Sequence, residues 1–215
     1  MATTTTTLAP ENVSLAKARG CQSREDCLSL YAQWAATYNV DLADASQNYI
    51  APFLVADMAL GFSSHAKGAI LDAGCGTGLV GEGLARGGAT TIDGLDLSPE
   101  MLKMAERTGA YRSLAVGDLT QRIAIANDTY DIVTCVGTFT QGHVGPDPAL
   151  GEFVRVTKKD GLILATVLGE IWKSGGYEAE VKRLEAEGLI DVISADLKDY
   201  RAGRDKANVI ILRKR

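Results

Sequence analysis

The residues best suited to chemistry are an acid and three glycines in the stretch AILDAGCGTG at residues 69–78. An apolar run ends at Asp72, and Gly74, Gly76 and Gly78 follow, which predicts a strand, a tight turn and the start of a helix. Glycine lets the backbone adopt positive φ and lie flat against a ligand. The first turn of the helix offers N–H groups without an intrahelical partner. The stretch therefore predicts a ligand-binding loop, with Cys75 packed against the ligand.

A second acid ends the run TIDGLD at residues 91–96. The carboxylate of Asp96 can accept hydrogen bonds from both hydroxyls of a ribose. Leu97 and Met101 would then flank the base of the same nucleoside. The alternative is that Asp96 caps the following helix, but Ser98 is the better N-cap because Pro99 follows it at the first helical position. We expect Asp96 to bind a ribose.

The fourth predicted strand, YDIVTCVG at residues 130–137, leads into the loop TFTQGHV at residues 138–144. Ligands of parallel sheets bind beyond the carboxyl ends of the strands, so this loop is predicted to border the reaction centre. His143 could deprotonate an acceptor there, because the ordinary pKa of histidine is about 6.5. The alternative is a histidine that only shapes the pocket, and the sequence leaves both interpretations open.

Composition limits the class of protein. The chain has 215 residues, 46% of them hydrophobic and 23% charged, which is typical of one globular domain. A net charge of −5 and a pI near 5.1 argue against a nucleic-acid partner. Residues 1–10 contain five consecutive threonines and neither a basic region nor a long apolar run, so we expect no signal peptide and no membrane partner.

The four cysteines form no C-x-x-C pair, so we expect neither a metal site nor a disulfide framework. They favour a reducing, cytoplasmic compartment.

Residues beyond position 66 alternate between strand and helix patterns, which predicts a parallel sheet covered by helices on both faces. The last two strands are joined by a polar stretch, which favours an antiparallel hairpin. The predicted fold is thus an α/β, Rossmann-like, doubly wound, seven-stranded sheet with a C-terminal hairpin. Strands are expected at 68–72, 90–95, 112–116, 130–136, 160–167, 189–197 and 207–213, and helices at 78–86, 99–108, 147–157 and 176–187.

Two helices are expected before the sheet. Ser23–Leu42 is predicted to form one helix with an apolar face, and a second helix is predicted at about 48–64, with Pro52 in its first turn. We therefore expect a disordered or weakly ordered tail at 1–20, a helical lid at 21–66 and a core at 67–215, all in one domain.

The glycine loop resembles D-x-G-x-G-x-G, the first motif of class I S-adenosylmethionine-dependent methyltransferases. GTGLVG at residues 76–81 also matches the dinucleotide fingerprint G-x-G-x-x-G, so an NAD-dependent oxidoreductase is the rival interpretation. Gly74 already occupies the place of the first glycine after the strand, and Leu79 then stands where the third glycine is expected. S-adenosylmethionine is therefore the favoured cofactor.

Two further segments resemble the ubiquinone-biosynthesis-type and Williams–Beuren-region methyltransferases. YAQWAATYN at 31–39 is similar to their Y-D-x-W-A-x-x-Y-[DN], and VGTFTQGHV at 136–144 is similar to the V-G-x-[LF]-[ST]-x-G-H-V of the latter group. The resemblance covers residues 27–170. It implies a lid of Tyr31, Trp34 and Tyr38, and an adenine contact by Asp118 with Leu119 on the ring; a turn aspartate is the alternative for Asp118.

The sequence thus predicts S-adenosylmethionine-dependent methyl transfer to a small-molecule acceptor. A hydroxyl or carbon acceptor is favoured, since no N-P-P-Y-like tetrapeptide follows the fourth strand. The alternative is a protein of the same fold that binds the cofactor without methylating. The expected cofactor-binding residues are Asp72, Gly74, Cys75, Gly76, Gly78, Asp96, Leu97, Met101, Asp118, Leu119 and Val136; Thr138 and Phe139 join the lid residues near the substrate, and His143 is catalytic.

Overall fold

The computed structural model describes residues 17–18, 20–21, 24–43, 47–62 and 64–215. The predicted tail therefore lies almost wholly outside the described residues. The strands are β1 (Ile70–Ala73), β2 (Ile92–Asp96), β3 (Ser113–Val116), β4 (Tyr130–Phe139), β5 (Thr157–Leu168), β6 (Ile190–Arg201) and β7 (Asp205–Lys214). The helices include α1 (Arg24–Trp34), α2 (Tyr38–Ala43), α3 (Ala51–Gly61), α4 (Leu79–Arg86), α5 (Pro99–Arg107), α6 (Ala149–Val156) and α7 (Tyr177–Ala186).

The seven strands form one sheet in the order β3-β2-β1-β4-β5-β7-β6. Strands β1 to β5 run parallel to one another, while β7 runs antiparallel to both β5 and β6. The predicted seven-stranded α/β fold and its C-terminal hairpin are confirmed. Because the chain crosses from β1 to β2 on one side and later to β4 on the other, a crevice is expected at the carboxyl ends of β1 and β4.

Alternate residues of the central strands point into two separate cores. Ile70 and Ile132 pack with Leu84 of α4 on one face of the sheet. Leu71 and Val133 pack with residues of α6 and α7 on the other face. All four residues of β1 are buried, as expected for a strand covered on both faces. This packing fixes the position of the loop that follows β1.

The helix after β2 begins as the sequence predicts. Ser98 is the N-cap, its hydroxyl accepts a hydrogen bond from the amide of Met101 at 3.3 Å, and Pro99 occupies the first turn. This cap sets the direction of α5 away from the end of β2.

The predicted single helix over residues 23–42 is wrong. Helix α1 ends at Trp34, and α2 begins at Tyr38 after a turn. The indole of Trp34 donates a hydrogen bond to Asp41 at 2.6 Å. In one straight helix these two residues would be separated by roughly 10 Å along the axis, so this bond requires the break. Ser23, the first residue of the predicted helix, lies outside the described residues.

The second predicted helix is shorter than expected. It spans Ala51–Gly61, with Pro52 in its first turn as predicted. Asn48, where the helix was expected to begin, has φ of +44°, which is not helical. Among the described residues, no helix has both the length and the apolar character needed to cross a membrane.

Phe139 lies in the core and not beside the substrate. Its side chain is fully buried and packs against Phe153 and Tyr177, with ring centroids 6.0 and 5.1 Å apart. The expected role of Phe139 as a substrate or lid contact is therefore corrected, because its side chain points to the face of the sheet covered by α6 and α7.

We expect Phe139→Ala to lower the free energy of unfolding by about 3–5 kcal/mol, because a large buried side chain is lost and a cavity remains. Val116→Ala is the control: Val116 is 61% exposed, and its loss should cost less than about 0.5 kcal/mol. Urea unfolding monitored by circular dichroism measures both. Equal, small effects of the two substitutions would contradict the core placement of Phe139.

Candidate active site

The glycine loop is tied to the end of the neighbouring strand. The amides of Gly74 and Cys75 both donate to the carbonyl of Leu95, at 2.7 and 3.0 Å. The amide of Gly76 donates to Asp96 Oδ2 at 2.8 Å. These three bonds bring the loop after β1 against the carboxyl end of β2.

Two glycines of this loop line a cavity at the carboxyl ends of the strands. Gly74 has φ of +74°, and a Cβ there would lie 2.2 Å from the hydroxyl oxygen of Thr138 at the end of β4. Gly76 has φ of +53°, and a Cβ there would meet no atom within 4 Å. Gly74 thus permits close packing beneath the cavity, and Gly76 presents bare backbone to open space.

Asp72 lies beneath the loop and does not line the cavity. It is fully buried and accepts hydrogen bonds from the hydroxyls of Tyr111 at 2.7 Å and Thr134 at 3.0 Å. Burial raises the pKa of its carboxyl to about 6, although both hydroxyl donors oppose the shift. The structure therefore places Asp72 as a support for the loop, behind its ligand-facing side.

Cys75 and Gly78 also face away from the cavity. Cys75 packs with Leu102 and Ala105 of α5, and burial raises the pKa of its thiol well above the ordinary value. A Cβ on Gly78 would lie 3.2 Å from the Cα of Ala105. Both residues let α5 pack closely on the loop.

Asp96 lines the cavity and holds the turn that follows β2. Its Oδ1 accepts the amide of Ser98 at 2.9 Å, and its Oδ2 accepts the amide of Gly76. Burial raises the pKa of the carboxyl, while these backbone donors oppose the shift. Each carboxylate oxygen can accept more than one hydrogen bond, so this arrangement is compatible with ribose binding. Ser98 provides the helix cap, as predicted.

Asp118 has the turn geometry that was the alternative interpretation. Its Oδ1 accepts the amide and the hydroxyl of Thr120, at 2.9 and 2.6 Å. Asp118 also lines the cavity, so the turn and a ligand contact are compatible. The apolar residues predicted for the cofactor that also line the cavity are Leu97, Met101, Leu119 and Val136.

The N-terminal helices cover the cavity with aromatic side chains. Tyr31 and Tyr38 line the cavity. Trp34 does not, because it is 3% exposed, bonds to Asp41 and packs edge-on against Tyr38 with centroids 4.7 Å apart. The hydroxyl of Thr77 donates to Asn39 at 2.5 Å, which joins this helical cover to the glycine loop.

His143 lines the cavity from the loop after β4. Its Nδ1 is 2.9 Å from the carbonyl oxygen of Gln141, and its Nε2 is 3.1 Å from the hydroxyl of Tyr31. The hydroxyl of Thr140 also lies 2.9 Å from Nδ1. A carbonyl only accepts, so the tautomer that satisfies Gln141 has its proton on Nδ1, and Nε2 then accepts from Tyr31. Burial lowers the pKa of His143. The imidazole is therefore neutral at pH 7, with its lone pair directed to Tyr31.

The sequence analysis missed several residues of the site. Cys27 and Leu28 of α1 line the cavity. Gly137 also lines the cavity and is supported by Tyr49 and Tyr200, whose rings are tilted with centroids 5.0 Å apart; a Cβ on Gly137 would lie 2.7 Å from the Tyr49 hydroxyl oxygen. The position of Cys27 one helical turn before Tyr31 was an available signal. The contribution of Tyr200 was not, because it comes from the C-terminal hairpin.

Comparisons with known proteins find similar methyltransferases. A family model described as a methyltransferase domain matches residues 70–161. Methyltransferase-like protein 27 of Homo sapiens is 35% identical over 179 residues, which cover 80% of this chain and 71% of the relative. The ubiquinone biosynthesis O-methyltransferase of Alkalilimnicola ehrlichii is 36% identical over 141 residues, 61% of this chain and 53% of that relative.

A solved structure is also similar. The TehB-like S-adenosylmethionine-dependent methyltransferase of Corynebacterium glutamicum superposes with a TM-score of 0.63 at 25% identity, and the match covers 87% of this chain and all of that one. In contrast, this chain spans only about half the length of the A. ehrlichii relative, 53%.

Asp72 should make stability depend on pH. Its folded pKa of about 6 exceeds the ordinary 3.8, so the folded state holds a proton that the unfolded chain has lost between these values. The contribution of Asp72 to the free energy of unfolding is largest below pH 4 and falls by at most ~3 kcal/mol as the pH rises to about 6.

The stability advantage of the parent over Asp72→Asn should therefore shrink between pH 4 and 7 in urea unfolding. Asp131→Asn is the matched control, because Lys158 helps hold the pKa of Asp131 below its ordinary value. The advantage over that variant should not shrink above pH 4. A pH-independent difference for Asp72→Asn would contradict the assigned shift.

Proposed function

The chain belongs to the class I S-adenosylmethionine-dependent methyltransferases, and we propose that it methylates a hydroxyl or carbon nucleophile of a small-molecule acceptor. S-adenosylmethionine is the cofactor, so the dinucleotide interpretation of residues 76–81 is set aside. The observation that carries the proposal is one cavity that contains Gly76, Asp96, Tyr31 and His143.

The residues on the cofactor side suit an adenosine. We propose that Asp96 accepts the ribose hydroxyls, since it lines the cavity and its two oxygens retain acceptor capacity beside the amides of Gly76 and Ser98. Asp118 and Leu119 are proposed to hold the adenine. Gly76 leaves open space for the cofactor, and Gly74 lets Thr138 pack beneath it. S-adenosylmethionine supplies a methyl group that is already activated by a positively charged sulfur.

The residues on the acceptor side of the cavity are suited to orient and enclose the acceptor. Thr138 and Val136 at the end of β4 line the cavity together with Tyr31 and Tyr38 of the N-terminal helices. We propose that these residues exclude water and align the acceptor, because an activated methyl group requires chiefly an aligned lone pair. The hydrogen bond from Thr77 to Asn39 holds the N-terminal helices against the glycine loop.

The charges of the cavity support a small acceptor that lacks phosphate groups. None of the described residues that line the cavity is lysine or arginine. A nucleic acid would require such cations, and the net charge of −5 disfavours it further. The similarity to ubiquinone biosynthesis O-methyltransferases supports a hydroxyl as the acceptor, with a carbon nucleophile as the second choice. The four free cysteines support a reducing, cytoplasmic location.

We propose that His143 is the general base of the reaction. Its Nδ1 proton is held by the Gln141 carbonyl, so the Nε2 lone pair can accept a proton from the acceptor once the Tyr31 hydroxyl gives way. The lowered pKa keeps the imidazole neutral and ready to accept.

The cofactor proposal predicts that Asp96→Ala weakens S-adenosylmethionine binding by roughly 30- to 1,000-fold, because two charge-assisted hydrogen bonds are lost. Calorimetry with the parent and the variant measures the change. Glu100→Ala is the control, since Glu100 is an acid of the adjacent helix that pairs with Lys103 and does not line the cavity. Unchanged affinity in a folded Asp96→Ala protein would reject the role of Asp96.

The base proposal predicts that His143→Gln lowers turnover by roughly 100-fold or more, because proton transfer in the transition state is lost. Transfer of a labelled methyl group from S-adenosylmethionine to a panel of phenols and enolisable ketones identifies a working acceptor and then measures kcat. Affinity for S-adenosylhomocysteine should stay at the parent value. A variant that turns over nearly as fast as the parent would show that His143 only shapes the pocket.

A further inference from the structure

Two thiols with no part in the proposed methyl transfer lie beside His143. One ligand atom from each of Cys21, Cys27 and His143 lies within 4.8 Å of the other two. Cys21 and Cys27 are free and 8% exposed. Cys27 and His143 also line the cavity, so the cluster borders the acceptor side of the site.

The fold brings these residues together by two close approaches. A Cβ on Gly142 would lie 2.3 Å from the carbonyl oxygen of Cys21, so only glycine lets the loop after β4 pack against that backbone. Cys27 lies one turn before Tyr31 in α1, and the Tyr31 hydroxyl bonds to His143 Nε2 at 3.1 Å. Two ligands therefore come from the N-terminal segment that contains α1, and one comes from the loop after β4.

Two sulfurs and one imidazole nitrogen are the donor set of a thiophilic cation. Zn²⁺ accepts this set in tetrahedral geometry, whereas Mg²⁺ and Ca²⁺ prefer oxygen. Metal–ligand lengths of about 2.3 Å for sulfur and 2.0 Å for nitrogen place tetrahedral donors roughly 3.5–3.8 Å apart. Donors that all lie within 4.8 Å of one another need to close by about 1.3 Å or less to meet this geometry.

We propose that Cys21, Cys27 and His143 bind a thiophilic cation of the Zn²⁺ class, which clasps the helical cover onto the loop after β4. The fourth position of the ion is left to a water or a ligand. Binding converts two thiols into thiolates and releases their two protons to solvent, and no oxidation or reduction takes place.

The bound ion has a consequence for catalysis. It takes a ring nitrogen of His143 and fixes the imidazole, so the acceptor can no longer use the residue as a base. The loss of the base rests on the proposed function, whereas the metal site itself does not. The metal-bound enzyme is expected to be inactive and the metal-free enzyme active, so the ion acts as an inhibitor that also orders the cover.

Titration of the metal-free full chain with Co²⁺, under reducing conditions, tests the site without any acceptor. We expect one equivalent to bind, with thiolate-to-metal charge transfer and the visible bands of tetrahedral Co²⁺. Cys21→Ser and Cys27→Ser should each weaken binding by at least about 100-fold, since a ligand is lost. Cys135→Ala is the matched control, because Cys135 is a free thiol in the sheet and outside the cluster, and it should bind like the parent.

Hydrogen exchange with Zn²⁺ tests the clasp. Saturation should slow exchange of the amides at 24–43 in the parent but not in Cys21→Ser. Absence of stoichiometric binding by the parent, binding that survives loss of both cysteines, or equal loss in Cys135→Ala would overturn the site. Binding that leaves the exchange at 24–43 unchanged would overturn the clasp. Failure of the methyltransferase proposal would instead appear as absent methyl transfer by the metal-free chain, although that chain still binds Co²⁺ when the ion is added.

Discussion

The hydrogen bonds between the glycine loop and the end of β2 are the constraint on which the site depends. Amides at 74, 75 and 76 all donate to Leu95 or Asp96, so the loop cannot move without breaking contact with the second strand. The backbone of the loop can approach the end of β2 this closely because Gly74 and Gly76 adopt positive φ angles, which glycine permits without steric cost. The position of Asp96 in the cavity follows directly.

Two acids at the ends of neighbouring strands have different tasks because their surroundings differ. Asp72 is buried between Tyr111 and Thr134, where two hydroxyls satisfy it and no solvent reaches it. Asp96 is held by backbone amides on one side and faces the cavity on the other. The first therefore supports the loop, and the second is available to a ligand.

Local patterns predicted much of this molecule. Alternating apolar residues placed the strands, Ser98 and Pro99 placed the start of α5, and the spacing of Gly74, Gly76 and Gly78 placed the loop. These features depend on residues that are neighbours in sequence, so periodicity and turn chemistry contain the information.

Features set by distant contacts could not be predicted in this way. The break after Trp34 depends on its bond to Asp41, and the burial of Phe139 depends on which face of the sheet α6 and α7 cover. The bond from Tyr31 to His143 joins residues 112 positions apart. Cys21 and Cys27 lack the C-x-x-C spacing of a metal site, and the packing of Gly142 on Cys21 together with the bond from Tyr31 brings them to His143.

A crystal structure of the full chain with S-adenosylhomocysteine is the most direct measurement of the central claim, which is that the cavity between the glycine loop and His143 is the site of methyl transfer. We predict that the ribose hydroxyls bind Asp96, and that the sulfur faces the space between Thr138, Tyr31 and His143. Ligand bound away from Asp96, or a sulfur directed away from the His143 loop, would contradict the account.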